Sequence, residues 1–148
     1  MIKEFCEAWE KNNGRLREYI SSHDQGEYSS YKELVCKLFE HCINPYVKNL
    51  IKNSCGDETF SIDKITEIDN GDYQGTLLFI IPRNIYQPGV SDYVFTSVYY
   101  GSCSYCDTLQ GIHQYSYGLP SEDQVNDYMH LLLNLLENCH WLIDKEEI

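Results

Sequence analysis

The side chains in this chain best spaced for chemistry are two cysteines three residues apart, in Cys103-Ser104-Tyr105-Cys106. Such a pair can pass between dithiol and disulfide, more readily where a helix amino terminus stabilises a thiolate. It can also supply two of the four ligands of a structural zinc. A strand-like run ends at Gly101-Ser102, and a helical pattern follows through Cys103, Cys106, Leu109 and Ile112. The pair therefore falls where a strand passes into a helix. The missing zinc ligands would come from His113 or from Cys139-His140. Adjacent residues on a helix point about 100° apart, so Cys139 and His140 make a poor pair of ligands. The sequence has no second CxxC. The expectation is a chain without cofactor or metal in which Cys103 and Cys106 stay reduced. A zinc or redox module built on Cys103, Cys106, His113 and Cys139 is the alternative.

Other constellations lack the spacing that catalysis needs. His23-Asp24 and His41-Cys42 have no nucleophile and base at a recognisable separation, and there is neither a Walker motif nor GxGxxG. Asp69-Asn70-Gly71-Asp72 has calcium-loop composition, but the EF-hand register puts Thr66, Ile68 and Leu77 where acids belong. These absences point away from an enzyme.

Charge is the stronger signal. The 148 residues carry a formal net charge of -12. Residues 1–52 hold eight basic and eight acidic side chains, whereas from residue 53 onward Lys64, Arg83 and Lys145 face fifteen acids. The whole excess belongs to the second part of the chain. It disfavours direct contact with nucleic acid or anionic membranes and favours a basic protein partner. Asp57, Glu58, Asp63, Glu67, Asp69 and Asp72 crowd one strand and its ends. Alternation places Asp63, Glu67 and Asp69 on its polar face, roughly 7–13 Å apart at a rise of about 3.3 Å per residue, which is comparable with successive phosphates. Among the 13 tyrosines, Tyr115 and Tyr117 fall in a predicted loop, where a ring with a polar tip suits recognition better than packing.

The elements that must position these groups follow from periodicity. Ile2, Phe5, Cys6 and Trp9 make a helical stripe, which Asn12-Asn13-Gly14 weakens before Leu16, Tyr19 and Ile20 resume it. Ser30 with Glu33 forms a capping box for a helix over 30–43, and Asn44-Pro45 should stop that helix and begin a short one. Phe60, Ile62, Thr66 and Ile68 alternate with polar residues as in a half-buried strand. Asn70-Gly71 signals a tight hairpin into an apolar central strand at 76–81, and 93–100 makes a third strand. Ser121 and Gln124 cap a core helix over 121–142. The expected fold is α+β in one domain, 1–148: amino-terminal helices, a three-stranded antiparallel meander, and carboxy-terminal helices packed on one face.

Hydrophobic residues make up 43% of the chain and charged residues 23%, an ordinary globular balance. The longest apolar run, Leu77 to Pro82, is too short to span a membrane, and the start has no basic and apolar leader pattern. Seven cysteines, an odd count with several on apolar faces, suggest free thiols in a reducing cytoplasm.

Asp72-Tyr73-Gln74-Gly75-Thr76, Tyr99-Tyr100-Gly101-Ser102-Cys103-Ser104 and Cys106-Asp107-Thr108-Leu109-Gln110 resemble a group of small uncharacterised bacteriophage and prophage proteins. The likeness covers roughly residues 65–140 and is most specific in the YGSCSxCDTLQ-like segment. It implies a phage setting and a location inside the host cell. With the charge, this leads to the expectation of an acidic interaction protein. It would inhibit a host defence factor by covering a basic surface that normally holds nucleic acid.

Overall fold

The first stripe folds as one unbroken helix, α1 (Lys3–Ser22), in a computed structural model that describes residues 2–50 and 59–143. Phe5, Ala8, Leu16 and Ile20 form its buried face. Asn12-Asn13-Gly14 does not interrupt it because each polar group finds a use. Asn13 Nδ2 donates to the Trp9 carbonyl at 2.7 Å, and Asn12 Nδ2 reaches across to the Cys42 carbonyl at 3.0 Å. Gly14 faces open space.

Ser30 caps α2 (Tyr31–Leu38) by accepting the Glu33 N–H at 3.1 Å, but the expected box is not reciprocal, because Glu33 Oε1 accepts the Ser30 hydroxyl at 3.1 Å in place of its backbone N–H. Asn44-Pro45 is not the expected stop. A π turn over Phe39–Ile43 carries the chain without a break into α3 (Asn44–Leu50). Proline has no N–H to donate, and its ring would meet a carbonyl one turn back; the wider π turn relieves that conflict. Asn44 then clamps the Phe60 backbone, donating to its carbonyl at 3.0 Å and accepting its N–H at 2.8 Å.

The sheet is antiparallel with strand order β1-β2-β3-β4: β1 (Thr66–Asp69), β2 (Gly75–Pro82), β3 (Tyr93–Tyr100) and β4 (His140–Trp141). The fold is therefore α+β, with four strands where the sequence suggests three. The fourth exists because the last helix, α5 (Glu122–Glu137), ends earlier than residue 142. Asn138, a weak helix former, turns its side chain to the Ser97 carbonyl at 3.2 Å. His140 and Trp141 then pair with Phe95 and Val94, covering part of the β3 edge.

The strand expected from Phe60 is shorter. Phe60 makes an isolated bridge with Arg83, and Ile62–Lys64 is a 3-10 turn. The faces of β1 are also reversed. Glu67 lies opposite Phe79 and Asp69 opposite Leu77, and residues directly opposite share a face. Leu77 and Phe79 are buried, so Glu67 and Asp69 point to the core side, in line with buried Ile65. Thr66 and Ile68 face the other way, and Ile68 is 47% exposed. The covering layer shields Ile65 but leaves the far end of this edge strand open, which is why acids can stand there.

Asn70-Gly71 does not form a two-residue turn. The Asn70 side chain accepts the Thr76 N–H at 2.7 Å and Asp69 accepts the Gly71 N–H at 2.9 Å, giving a wider loop. Gly118, not Gly71, is the described glycine with left-handed φ. Gly71 is required for another reason: a Cβ there would collide with the Gln74 carbonyl. Gly71→Val should lower stability by about 1–2 kcal/mol in urea unfolding. Gly14→Ala, in an open helix interior, should raise it by about 0.5–1 kcal/mol. An unchanged midpoint for Gly71→Val would show that the loop moves aside freely.

One hydrophobic cluster joins α1, α2, α3 and α5 to Leu77, Phe79, Ile81 and Val94 of the sheet. On the opposite sheet face Leu78, Ile80 and Phe95 are half-buried. No helix among the described residues is long and apolar enough to cross a membrane.

Candidate binding cleft

The open end of β1 forms one wall of a cleft of about 250 Å3. The start of α2 and the turn leading into α4 (Thr108–His113) supply the others. Glu67, Asp69 and Asp107 line it together with Tyr31, Tyr100 and Gln110, and none of its described lining side chains is basic.

Asp107 holds the cleft together. It is buried and caps α4, with Oδ2 accepting the Gln110 N–H at 2.9 Å. Its Oδ1 accepts the Gly101 N–H at 2.9 Å and the Tyr31 hydroxyl at 3.0 Å. Tyr31 in turn accepts the Leu109 N–H at 3.2 Å. One carboxylate thus ties the end of β3, the start of α2 and the start of α4 to each other. Burial, reinforced by the negative charge of Asp107, pushes the Tyr31 hydroxyl well above its usual range, so it stays a donor.

Asp69 is partly engaged and Glu67 is not. Tyr100 donates to Asp69 Oδ1 at 2.6 Å, and that bond, with the Gly71 N–H, holds the carboxyl below its usual value. The same bond, aided by burial, pushes Tyr100 up to about 12. Glu67 makes no hydrogen bond or ion pair among the described residues. The cleft therefore offers one unengaged carboxylate, a second with an oxygen to spare, and two tyrosine rings. That arrangement can take a guanidinium or ammonium group through charge-assisted bonds and ring contact.

Comparison with protein-family models, curated proteins and solved structures gives no match to this chain.

The other acids expected to act together are dispersed. Asp63 sits exposed in the 3-10 turn before β1, so the expected row of Asp63, Glu67 and Asp69 on one strand face does not form. Asp72 is exposed in the β1–β2 loop, and Asp57 and Glu58 lie outside the described residues. Tyr115 and Tyr117 are more than half exposed, beyond α4. Gln114 and Tyr115 both hold left-handed φ, 51° and 58°, an uncommon state for such residues. The Tyr115 hydroxyl donates to Gln110 Oε1, which connects this loop to the cleft.

Cys103 and Cys106 lie in a turn before α4 instead of within a helix. The zinc set does not assemble: no three of Cys, His, Asp and Glu converge on a metal position among the described residues. Cys139 is fully buried, donating to the Leu135 carbonyl at 3.3 Å. His113 is buried and accepts the Tyr115 N–H through Nδ1 at 3.0 Å. Burial also lowers its pKa, favouring the neutral ring.

Sequence reasoning missed Tyr31, Tyr100, Asp107 and Gln110 as cleft residues. A signal existed for one pair: Asp107 followed three residues later by Gln110 is a helix-start pattern. Nothing local marks Tyr31.

Proposed function

We propose that this chain is a non-enzymatic interaction protein whose acidic cleft receives a basic side chain from a protein partner. The observation that carries the reading is the convergence of Glu67, Asp69 and Asp107 on one cleft without a basic residue in its described lining. At about 250 Å3 the cleft falls below the roughly 300–1,000 Å3 of small-molecule sites and suits one projecting side chain. The surrounding acidic excess would steer a basic surface toward it. The likeness of the 99–110 segment to small phage proteins makes a host protein the natural partner, with a basic surface that otherwise holds nucleic acid.

Titration of the isotope-labelled protein with a short arginine-containing peptide tests this. Amide shifts should concentrate at Glu67, Asp69, Tyr100 and Gln110, and affinity should fall steeply from low to moderate salt. Glu67→Gln with Asp69→Asn should weaken binding at least tenfold, while Glu122→Gln with Asp123→Asn should not. Shifts spread evenly over the acidic surface, or equal affinity in both variants, would sink the proposal.

A further inference from the structure

The turn over Ser102–Cys106 holds the Cys103 and Cys106 sulfurs 2.8 Å apart and unbonded, inside ordinary contact for two sulfur atoms. The backbone enforces that approach. The Cys103 carbonyl accepts both the Cys106 N–H at 3.1 Å and the Asp107 N–H at 2.8 Å, so the chain folds back between the thiols. Asp107 is itself fixed by the Gly101 N–H, and Gly101 packs directly on the Cys106 backbone. The two sulfurs are therefore in place before any bond forms between them, and closing it requires little movement.

Access differs between the two. Cys106 is exposed and Cys103 half-buried. An incoming reagent meets Cys106 first, and Cys103 stands behind it. Three of the other four described thiols are poorly placed to compete. Cys42 and Cys139 are buried, each pushed up to about 12 by burial, and Cys36 is also raised. Cys106 moves the opposite way, its thiolate favoured by the Cys103 thiol and then by the Ser102 hydroxyl 3.7 Å away.

We propose that Cys103 and Cys106 form a reversible dithiol–disulfide couple that exchanges with low-molecular-weight disulfides. The Cys106 thiolate attacks one sulfur of a small disulfide such as oxidised glutathione. A mixed disulfide forms and one thiolate leaves, taking up a proton. The Cys103 thiol then gives up its proton, attacks Cys106 Sγ and expels the second thiol. One small disulfide is reduced to two thiols, and two protein thiols become one intramolecular disulfide. This holds whatever the acidic cleft binds.

The test uses the full chain, reduced and then equilibrated in glutathione buffers from fully reduced to fully oxidised. Acid quench, alkylation and peptide mass spectrometry report each thiol. Oxidising buffers should remove two hydrogens from the peptide holding Cys103 and Cys106, and excess reduced glutathione should restore them. Cys103→Ser should trap glutathione on Cys106, and Cys106→Ser should abolish the intramolecular bond. Phenylarsine oxide, which bridges two close thiols, should bind the reduced wild-type chain one to one and shield both from alkylation. That last measurement needs no variant to fold. Free Cys103 and Cys106 at every glutathione ratio would overturn the proposal, as would glutathione spread equally over other cysteines, or failure of the arsenical to protect the pair.

Discussion

Asp107→Ala should lower the unfolding free energy by about 3–4 kcal/mol, far more than an ordinary helix cap is worth. The loss exceeds a cap because the carboxylate accepts from Gly101, Tyr31 and Gln110 at once. Gly101 and Tyr31 are buried, so removing their acceptor leaves donors that water reaches poorly. Asp107→Asn keeps the shape but offers a single acceptor oxygen and turns an amide N–H toward donors. It should cost about 1.5–3 kcal/mol. Tyr31→Phe should show coupling to Asp107→Ala in a double-mutant cycle, because the two share a hydrogen bond. Urea denaturation reads all of these. A loss below about 1 kcal/mol for Asp107→Ala would mean that the three elements are held together by packing alone.

Gly101→Ala is the second large effect, about 2–4 kcal/mol, from the addition of one methyl group. Its Cβ would collide with the backbone carbonyl and the Cβ of Cys106. Escape is blocked, because the Gly101 N–H is bonded to Asp107 and Tyr100, the residue before it, is paired with Gly75. The comparison is Gly14→Ala, whose methyl meets nothing within 4 Å. Thermal melts of the two variants should move in opposite directions. If Gly101→Ala melted with the wild type, the turn would have to be loose enough to swing away, and the sulfur approach within it would lose its constraint.

What the sequence disclosed was chemistry settled within a few residues. The caps at Ser30 and Ser121 depend on a side chain and an N–H three positions apart, and both form. The strands at 75–82 and 93–100 carry their own apolar and β-branched patterns. β1 shows the limit. Its period of two was legible, but its phase was not, because the register with β2 and the reach of the covering layer decide which face is inside. β4, at two residues, is too short to leave a pattern. The cleft draws on residues near 31, 67–69, 77 and 100–110, so no spacing within a single segment could announce it. The dithiol was visible as a motif, but the approach of its sulfurs comes from a turn that the helical pattern through Cys103 and Cys106 concealed.

The π turn between α2 and α3 amounts to one residue more than a regular helix would use over the same path. Each residue of an α-helix advances the side-chain direction by about 100°. The turn absorbs the extra residue: a single deletion within Phe39–Ile43 would close it to a regular helix with α3 keeping its faces, whereas forcing all the present residues into a regular α-helix would rotate α3 by about 100°. Tyr46 and Val47 would turn out of the core, and Asn44 would lose the Phe60 backbone it clamps on both sides. The Cys42 carbonyl, inside the turn, is also what ties this stretch to Asn12 of α1. The turn thus works as a register adjuster: it lets α2 and α3 present their apolar faces to one core although their sequences are one residue out of α-helical step.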